Sequence, residues 1–259
     1  MFHSSAIINQ EAKIGNNTKI GPYCIVCENV KFGNDCVLHS HVVIEGDVEI
    51  GDNTQIFSFA SIGSIPQDLK FKGEKTKVKI GNSCKIREYC TINLGTSGGG
   101  GITRVGDNCL LMVGTHIAHD CIVDNNVIFA NHSTLAGHVI IEKNVVVGAL
   151  SAIHQFSRIG EGSMIGGMSG ITGDVPPFCT VIGNRAKLNG LNIVGLKRNN
   201  ISKNEISELR KVYNFLFNNK DSTFKLRLKK MQNRKNNFYT IEKLVEFISK
   251  ESSRSFCLP

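Results

Sequence analysis

Tryptophan is absent from the 259 residues and tyrosine occurs only four times. Aromatic and basic side chains do not interleave as they do on an RNA-binding surface. No stretch of about 18 apolar residues occurs, so a transmembrane helix is not expected. The opening segment, MFHSSAIINQ, has neither a basic start nor an apolar run. A signal peptide is therefore not expected, and a cytoplasmic location is the default. The glycine run at 98–101 is followed by no Lys-Ser/Thr pair, so it reads as a flexible loop rather than a phosphate cradle.

Against these absences stands a strict period of six. An aliphatic or Phe residue recurs at Ile14, Ile20, Val26 and onward to Ile62, then again from Val105, Leu111 and Ile117 to Ile171. The position four later is small or β-branched, as at Thr18, Cys24, Val30 and Cys36. A period of six fits neither a helix nor a simple hairpin sheet. It fits a parallel β-helix in which each hexad supplies one short strand and one corner, and three hexads close a triangular coil. Both recurrent positions should point inward, where coil stacks on coil.

The phase breaks twice, from Pro66 to Lys77 and from Leu94 to Arg104. Both segments read as loops thrown out from a corner, a common place for function. After Pro176-Pro177 the repeat fades and helical spacing takes over. Ser202 with Glu205 forms a capping box, and Ile206, Leu209, Tyr213 and Leu216 follow. Further helices are expected near 223–231 and 241–248. The mainly β chain thus divides into a β-helix over 1–194 and a small helical domain over 195–259.

Charge divides the same way. Residues 196–259 carry 15 Lys/Arg against 6 Asp/Glu, whereas the preceding part is nearly neutral. A basic tail on a neutral body suits an acidic partner, such as a nucleic acid or an acidic carrier protein; a plain solvated surface is the alternative. Of the nine cysteines, Cys24, Cys36, Cys84, Cys90, Cys109 and Cys121 share the small inward position. They read as packing residues of a reducing compartment, not as metal or redox groups.

Five of the eight histidines fall between His116 and His154. His119, Gly137 and Gln155 are spaced by one coil, so they should stack on one edge. His138 follows Gly137, and His116 lies one corner back from His119. Their hexad position points outward. Two chemistries remain open for such a cluster. A metal site needs three converging ligands, which a trimer could supply across subunits. A general base needs one histidine, oriented by a carboxylate beside an oxyanion donor. His119, Asp120 and the Gly137 N–H offer that second set.

In the motifs HIAHDC, LAGHV, IHQF, DVPPF and LNIVGLKR the chain resembles the UDP-N-acetylglucosamine 3-O-acyltransferases. The resemblance runs from about Ile8 through the helical tail. It implies a left-handed β-helix and a homotrimer with sites between subunits. The implied reaction moves a (3R)-hydroxyacyl group from acyl carrier protein to the glucosamine 3-hydroxyl of UDP-N-acetylglucosamine, the first step of lipid A synthesis. It implies His119 as general base, Asp120 as its orienting group and the Gly137 N–H as oxyanion donor. His116 and His138 would contact substrate near the reaction centre, and His154 and Gln155 the nucleotide sugar. Gln67, Asp68 and Lys70 would reach the sugar or acyl portion across the subunit boundary, Asn192 the uracil and Arg198 the diphosphate. The acyl chain would lie in a groove past Gly167, bounded by Met168 and Arg185, with a medium or long chain expected. No metal and no cofactor is implied; the phosphopantetheine thioester of the carrier protein is a substrate. The basic tail would meet that carrier.

The sequence departs from the family pattern at three positions. Asn199 stands where many members have a second Arg, Asn93 where some have His, and Val194 where some have an acidic residue. Asn93 bears on whether the acceptor carries a 3-hydroxyl or a 3-amino group. Alternatives are the N-acyltransferase of the same pathway and a short-chain sugar O-acetyltransferase using acetyl-CoA. Because the hexads begin within about ten residues of Met1, the uridine-binding domain that precedes the repeats of the first is not expected. The long solenoid and the first loop argue against the second. A trimeric His-metal enzyme of the γ-carbonic anhydrase type and a non-catalytic hexapeptide subunit complete the set.

Overall fold

Short strands, most of them two residues long, stack into three flat faces of 9, 8 and 10 strands among the described residues. The computed structural model describes residues 1–219, 221–234 and 237–259. Within each face every neighbour is parallel except at the last hairpin, and the usual partner lies 18 residues on, as in Ile7 with Ile25 and Lys19 with Val37. The expected parallel β-helix is therefore present.

The six-residue aliphatic position fills the axis. Leu38, Ile44, Ile50, Ile56, Ile62, Phe129 and Leu135 are all fully buried. Each such side chain contributes about 1.5–3 kcal/mol on burial. The small inward position has a second requirement that volume alone does not express. Where it carries a donor, that atom often caps a carbonyl 15 residues on: Thr18 Oγ1 reaches Gly33 O at 3.0 Å, Cys24 Sγ reaches His39 O at 2.8 Å and Cys121 Sγ reaches Ala136 O at 3.1 Å. Cysteine, threonine and serine recur there because they are compact and still bring a donor to a buried carbonyl.

Most corners place the third residue after the aliphatic one in the left-handed region, with φ of 57–58° at Asn17, Asn53 and Asp120 alike. Such a conformation suits Asn and Asp best among residues with a side chain. At one corner of the prism the Asn or Asp just before that residue forms a continuous ladder. The backbone N–H of Asn16 donates to Asn34 Oδ1, Asn34 to Asp52, Asp52 to Asn82, Asn82 to Asp107 and Asp107 to Asn125. The offsets in that ladder are 18, 18, 30, 25 and 18 residues, so the two loops lengthen the chain without disturbing the stack. A second corner carries exposed rings in line: Tyr23 on His41, His41 on Phe59 and Phe59 on Tyr89, with centroids 4.9–5.2 Å apart.

Past the last coil, strand Cys179–Ile182 turns back on Lys187–Leu191 as an antiparallel hairpin. Four helices follow: α1 (Ile193–Arg198), α2 (Lys203–Tyr213, extended by a π-helical turn at Asn214–Asn218), α3 (Phe224–Gln232) and α4 (Tyr239–Ser249). The hairpin and α1 were not foreseen from spacing. Half of the expected capping box is made: Ser202 accepts from Glu205 N at 3.2 Å. The Glu205 carboxylate instead accepts from Thr240 N at 2.9 Å, in the first turn of α4, and so ties two helices together. The tail is anchored to the solenoid. Tyr239 donates to Glu161 at 2.6 Å, Arg158 pairs with Asp174 at 2.7 Å and lies over the Phe247 ring, and Cys257 N donates to Asp174 O at 2.9 Å. Among the described residues no helix is long and apolar enough to cross a membrane.

Candidate active site

The third corner carries the histidines. One coil ends its strand at Ile117 and turns through His119 and Asp120; the next turns through Gly137 and His138, and the next through Gln155 and Phe156. The period thus brings these residues into register, coil upon coil. It misleads on exposure. His119, expected to face outward, is only 8% exposed, because the second loop folds over this corner.

His119 Nδ1 lies 2.8 Å from Asp120 Oδ2. An ionised carboxylate only accepts, so the proton of neutral His119 sits on Nδ1 and Nε2 keeps its lone pair. Asp120 is itself held by three donors. Thr96 N reaches Oδ1 at 2.8 Å, Thr96 Oγ1 reaches Oδ2 at 2.6 Å, and the third is His119. The glycine run at 98–101, expected to be a flexible loop, contributes a short helical turn at Ser97–Gly99 that packs on this carboxylate. A β-carbon on Gly99 would strike Asp120 Cγ.

Gly137 lies against the other side of His119, and a β-carbon there would collide with the ring at Cε1 and Nε2. The Gly137 N–H meets no backbone or side-chain acceptor among the described residues. At the ladder corner the equivalent N–H is taken by an Asn or Asp one coil on. Here the residue one coil on is Gln155, which leaves that N–H beside the His119 ring without such a partner.

His138 stands edge-on to His119, with centroids 5.0 Å apart and planes at 90°, and its Nε2 lies 3.7 Å from Asp120 Oδ2. Phe156 stacks on its other face at 4.5 Å. Burial chiefly pushes the His138 pKa down, with help from His119, while Asp120 and Asp68 act the other way. Burial also lowers His116, whose Nδ1 lies 2.7 Å from Thr91 Oγ1. The rest of the set is looser. His154 is exposed, with Nδ1 3.2 Å from Gln155 O, and Arg254 from the C-terminal segment donates to the same carbonyl at 2.9 Å. Gln67 and Lys70 are exposed on the first loop, where Asp68 accepts from Lys70 N at 2.9 Å. Asn192 caps α1 by accepting from Gly195 N and donates from Nδ2 to Gly162 O, both at 2.9 Å. Arg198 is exposed in the last turn of α1. Gly167, Met168 and Arg185 are all exposed near the last coils.

Sequence reasoning missed Thr96, Phe156 and Arg254. Phe156 follows His138 by one coil, so the period could have found it. Thr96 and Arg254 lie off the repeat, where no ruler applies.

Ligand atoms of His119, Asp120 and His138 lie within 4.8 Å of one another, which is also the composition of a metal site. An ion there would have to compete with both Thr96 donors for the Asp120 carboxylate.

Fold and corner together define a transferase of the hexapeptide-repeat class, and the pattern described as bacterial transferase hexapeptide (six repeats) matches residues 11–46 and 102–137. A second pattern, described as Udp N-acetylglucosamine O-acyltransferase, Domain 2, matches residues 174–257. The acyl-[acyl-carrier-protein]–UDP-N-acetylglucosamine O-acyltransferase of Aliarcobacter butzleri is 50% identical over 216 residues, 83% of each chain. That of Campylobacter concisus is 45% identical over 84% of this chain and 83% of its own. The chain belongs to this family and is an acyltransferase. Among solved structures, the UDP-N-acetylglucosamine acyltransferase from Campylobacter jejuni superimposes with a TM-score of 0.93 at 40% identity over the whole of both chains. The Acinetobacter baumannii relative does so with 0.95 at 43% identity over 98% of each.

Proposed function

We propose that this protein, acting in the cytoplasm, transfers a (3R)-hydroxyacyl group from the phosphopantetheine thioester of acyl carrier protein to the 3-hydroxyl of UDP-N-acetylglucosamine, opening lipid A synthesis. The observation that carries this reading is the His119 ring, held by Asp120 on Nδ1 and presenting Nε2 over Gly137. The hydroxyl oxygen attacks the thioester carbonyl carbon as its proton passes to Nε2. The Gly137 N–H receives the oxyanion, a contribution of about 3–4 kcal/mol. Collapse of the tetrahedral intermediate breaks the C–S bond, and the imidazolium returns its proton to the leaving thiolate. The products are the 3-O-acyl sugar nucleotide and the free carrier thiol.

No acyl-enzyme is required. The cysteine beside the corner, Cys121, is a poor nucleophile: burial pushes it up to about 12.

The binding roles belong to the same reading. His116 and His138 face the reaction centre, and His154 and Gln155 the nucleotide sugar. Gln67, Asp68 and Lys70 contact sugar or acyl chain, Asn192 the uracil and Arg198 the diphosphate, for which a guanidinium is well suited. Gly167, Met168 and Arg185 line the acyl groove. A homotrimer supplies the missing wall, and the exposed ring stack from Tyr23 to Tyr89 supports a solenoid that buries one edge against a neighbour. In the basic tail, an apolar cleft of Val212, Phe215 and Met231 is rimmed by Lys211, Lys230 and Arg234. That combination suits an acidic carrier.

His119→Ala is expected to lower acyl transfer at least ~10²-fold with the oligomer intact. Near-normal turnover overturns the assignment of the base. Carrier proteins of graded acyl length, offered with UDP-N-acetylglucosamine, give the chain preference; inactivity with every one of them overturns the substrate. Stoichiometric zinc lost together with activity in His119→Ala favours the metal alternative.

A further inference from the structure

The second of the two loops that interrupt the repeat closes on Asp120, and the first meets the second at Ser97. Its corner is fixed first by its own backbone, which sits at φ 58° and donates its N–H to Thr103 Oγ1 at 2.9 Å. The carboxylate is wholly shielded from solvent. Thr96 then closes on it twice, through its N–H to Oδ1 and through its hydroxyl to Oδ2. Oδ2 is the oxygen that also receives Nδ1–H of His119.

The segment bearing Thr96 is itself tethered. Ser97 donates to Glu74 Oε1 from its N–H at 3.3 Å and from its hydroxyl at 3.1 Å. Glu74 belongs to the first loop, the one that carries Gln67, Asp68 and Lys70. Its other oxygen accepts from Lys72 N at 2.8 Å. Backbone donors, that of Lys72 foremost, hold its pKa at about 2, so the tether stays ionised at any working pH. A continuous run of contacts therefore joins the first loop to the basic nitrogen: Glu74, Ser97, Thr96, Asp120, His119.

We propose that Thr96 is a positioning residue for acyl transfer, acting through Asp120 to fix the orientation and tautomer of His119, with the Glu74–Ser97 contact setting the loop that holds it. The proposal rests on the reading of His119 as general base. Two features separate Thr96 from a residue that merely fills space. It donates from both backbone and side chain to one buried carboxylate, so the carboxylate cannot rotate. Its hydroxyl also shares Oδ2 with His119, so any rotation would move the acceptor away from Nδ1. The other groups facing this pair are His116, His138 at the ring edge and, from the first loop, Asp68 toward His138. None of them bonds to Asp120 Oδ1.

Thr96→Val removes the hydroxyl and keeps the shape; Thr96→Ser keeps the hydroxyl. The first is expected to lower kcat about 10- to 50-fold with KM for the sugar nucleotide within about twofold, and the second to stay within about threefold of the parent. Nitrogen-labelled histidine spectra of the full protein give a readout independent of turnover. His119 should report a single Nδ1–H tautomer in the parent and in Thr96→Ser, and a mixture in Thr96→Val. Ser97→Ala, on the exposed side of the loop, should loosen the same signal and lower kcat about two- to fivefold, and it decides the matter if Thr96→Val does not fold. An unchanged His119 signal and unchanged kcat in the folded variants overturn the proposal. An active His119→Ala enzyme overturns the base instead, and the His119 spectra then still decide whether Thr96 orients that ring.

Discussion

Gly137 lies directly against the imidazole of His119, close enough that a single added methyl group would land on the ring edge bearing Nε2. The glycine is thus needed for the histidine as well as for the proposed oxyanion. Gly137→Ala is expected to fold, since the obstacle is a side-chain ring that can turn aside rather than backbone. Turning aside carries Nε2 off line and covers the amide. Turnover should fall at least ~10²-fold while the melting temperature moves by only a few degrees. Activity within tenfold of the parent would refute the placement of the base over this amide.

Stability should also respond to pH in a defined sense. Burial lowers the pKa of both His116 and His138 from the ordinary 6.5, so the unfolded chain takes up these protons first as the pH falls. Their contribution is complete above 6.5 and is lost progressively below it. Glu74 adds a separate loss between 4.5 and about 2. Thermal melting at a series of pH values should show the first decline below 6.5, and the slope should be reduced in His138→Gln. A melting temperature that rises between pH 6.5 and 5 would contradict this.

The nine thiols offer a direct test of the packing. All are free; Cys27 is half-buried and the other eight are buried. A thiol reagent should label about one site in the native protein and nine after unfolding, with no reductant needed. Rapid native labelling of several sites would mean that the inward position is not closed.

Much of this was legible from spacing because a coil of fixed length turns sequence distance into spatial distance. Ile44 and Ile62, or His119 and Gly137, could be placed one above the other without knowing any coordinate. The rule is silent wherever the chain leaves the coil. Thr96 and Glu74 sit in loops of unrelated length, and nothing in their local sequence shows that Glu74 holds Ser97 or that Thr96 holds Asp120. Asn192 reads as a polar loop residue because α1 is only six residues long and carries too few apolar positions to betray itself. The C-terminal segment returns to the solenoid at Gly173 through Cys257 and at Gln155 through Arg254, across 84 and 99 residues of sequence. No periodic signal reaches that far.

The ladder of Asn and Asp side chains on the corner between Asn16 and Asn125 has a consequence for how the molecule meets others. Every amide it caps is a hydrogen bond already made within the chain, and the left-handed turns beneath it are rigid and hydrophilic. That edge offers a partner polar side chains rather than an apolar surface. The other two edges, one lined with rings and the other with histidines, meet along a single face. The ordinary-looking corner thereby leaves the solenoid's rings and histidines gathered on one side of the prism.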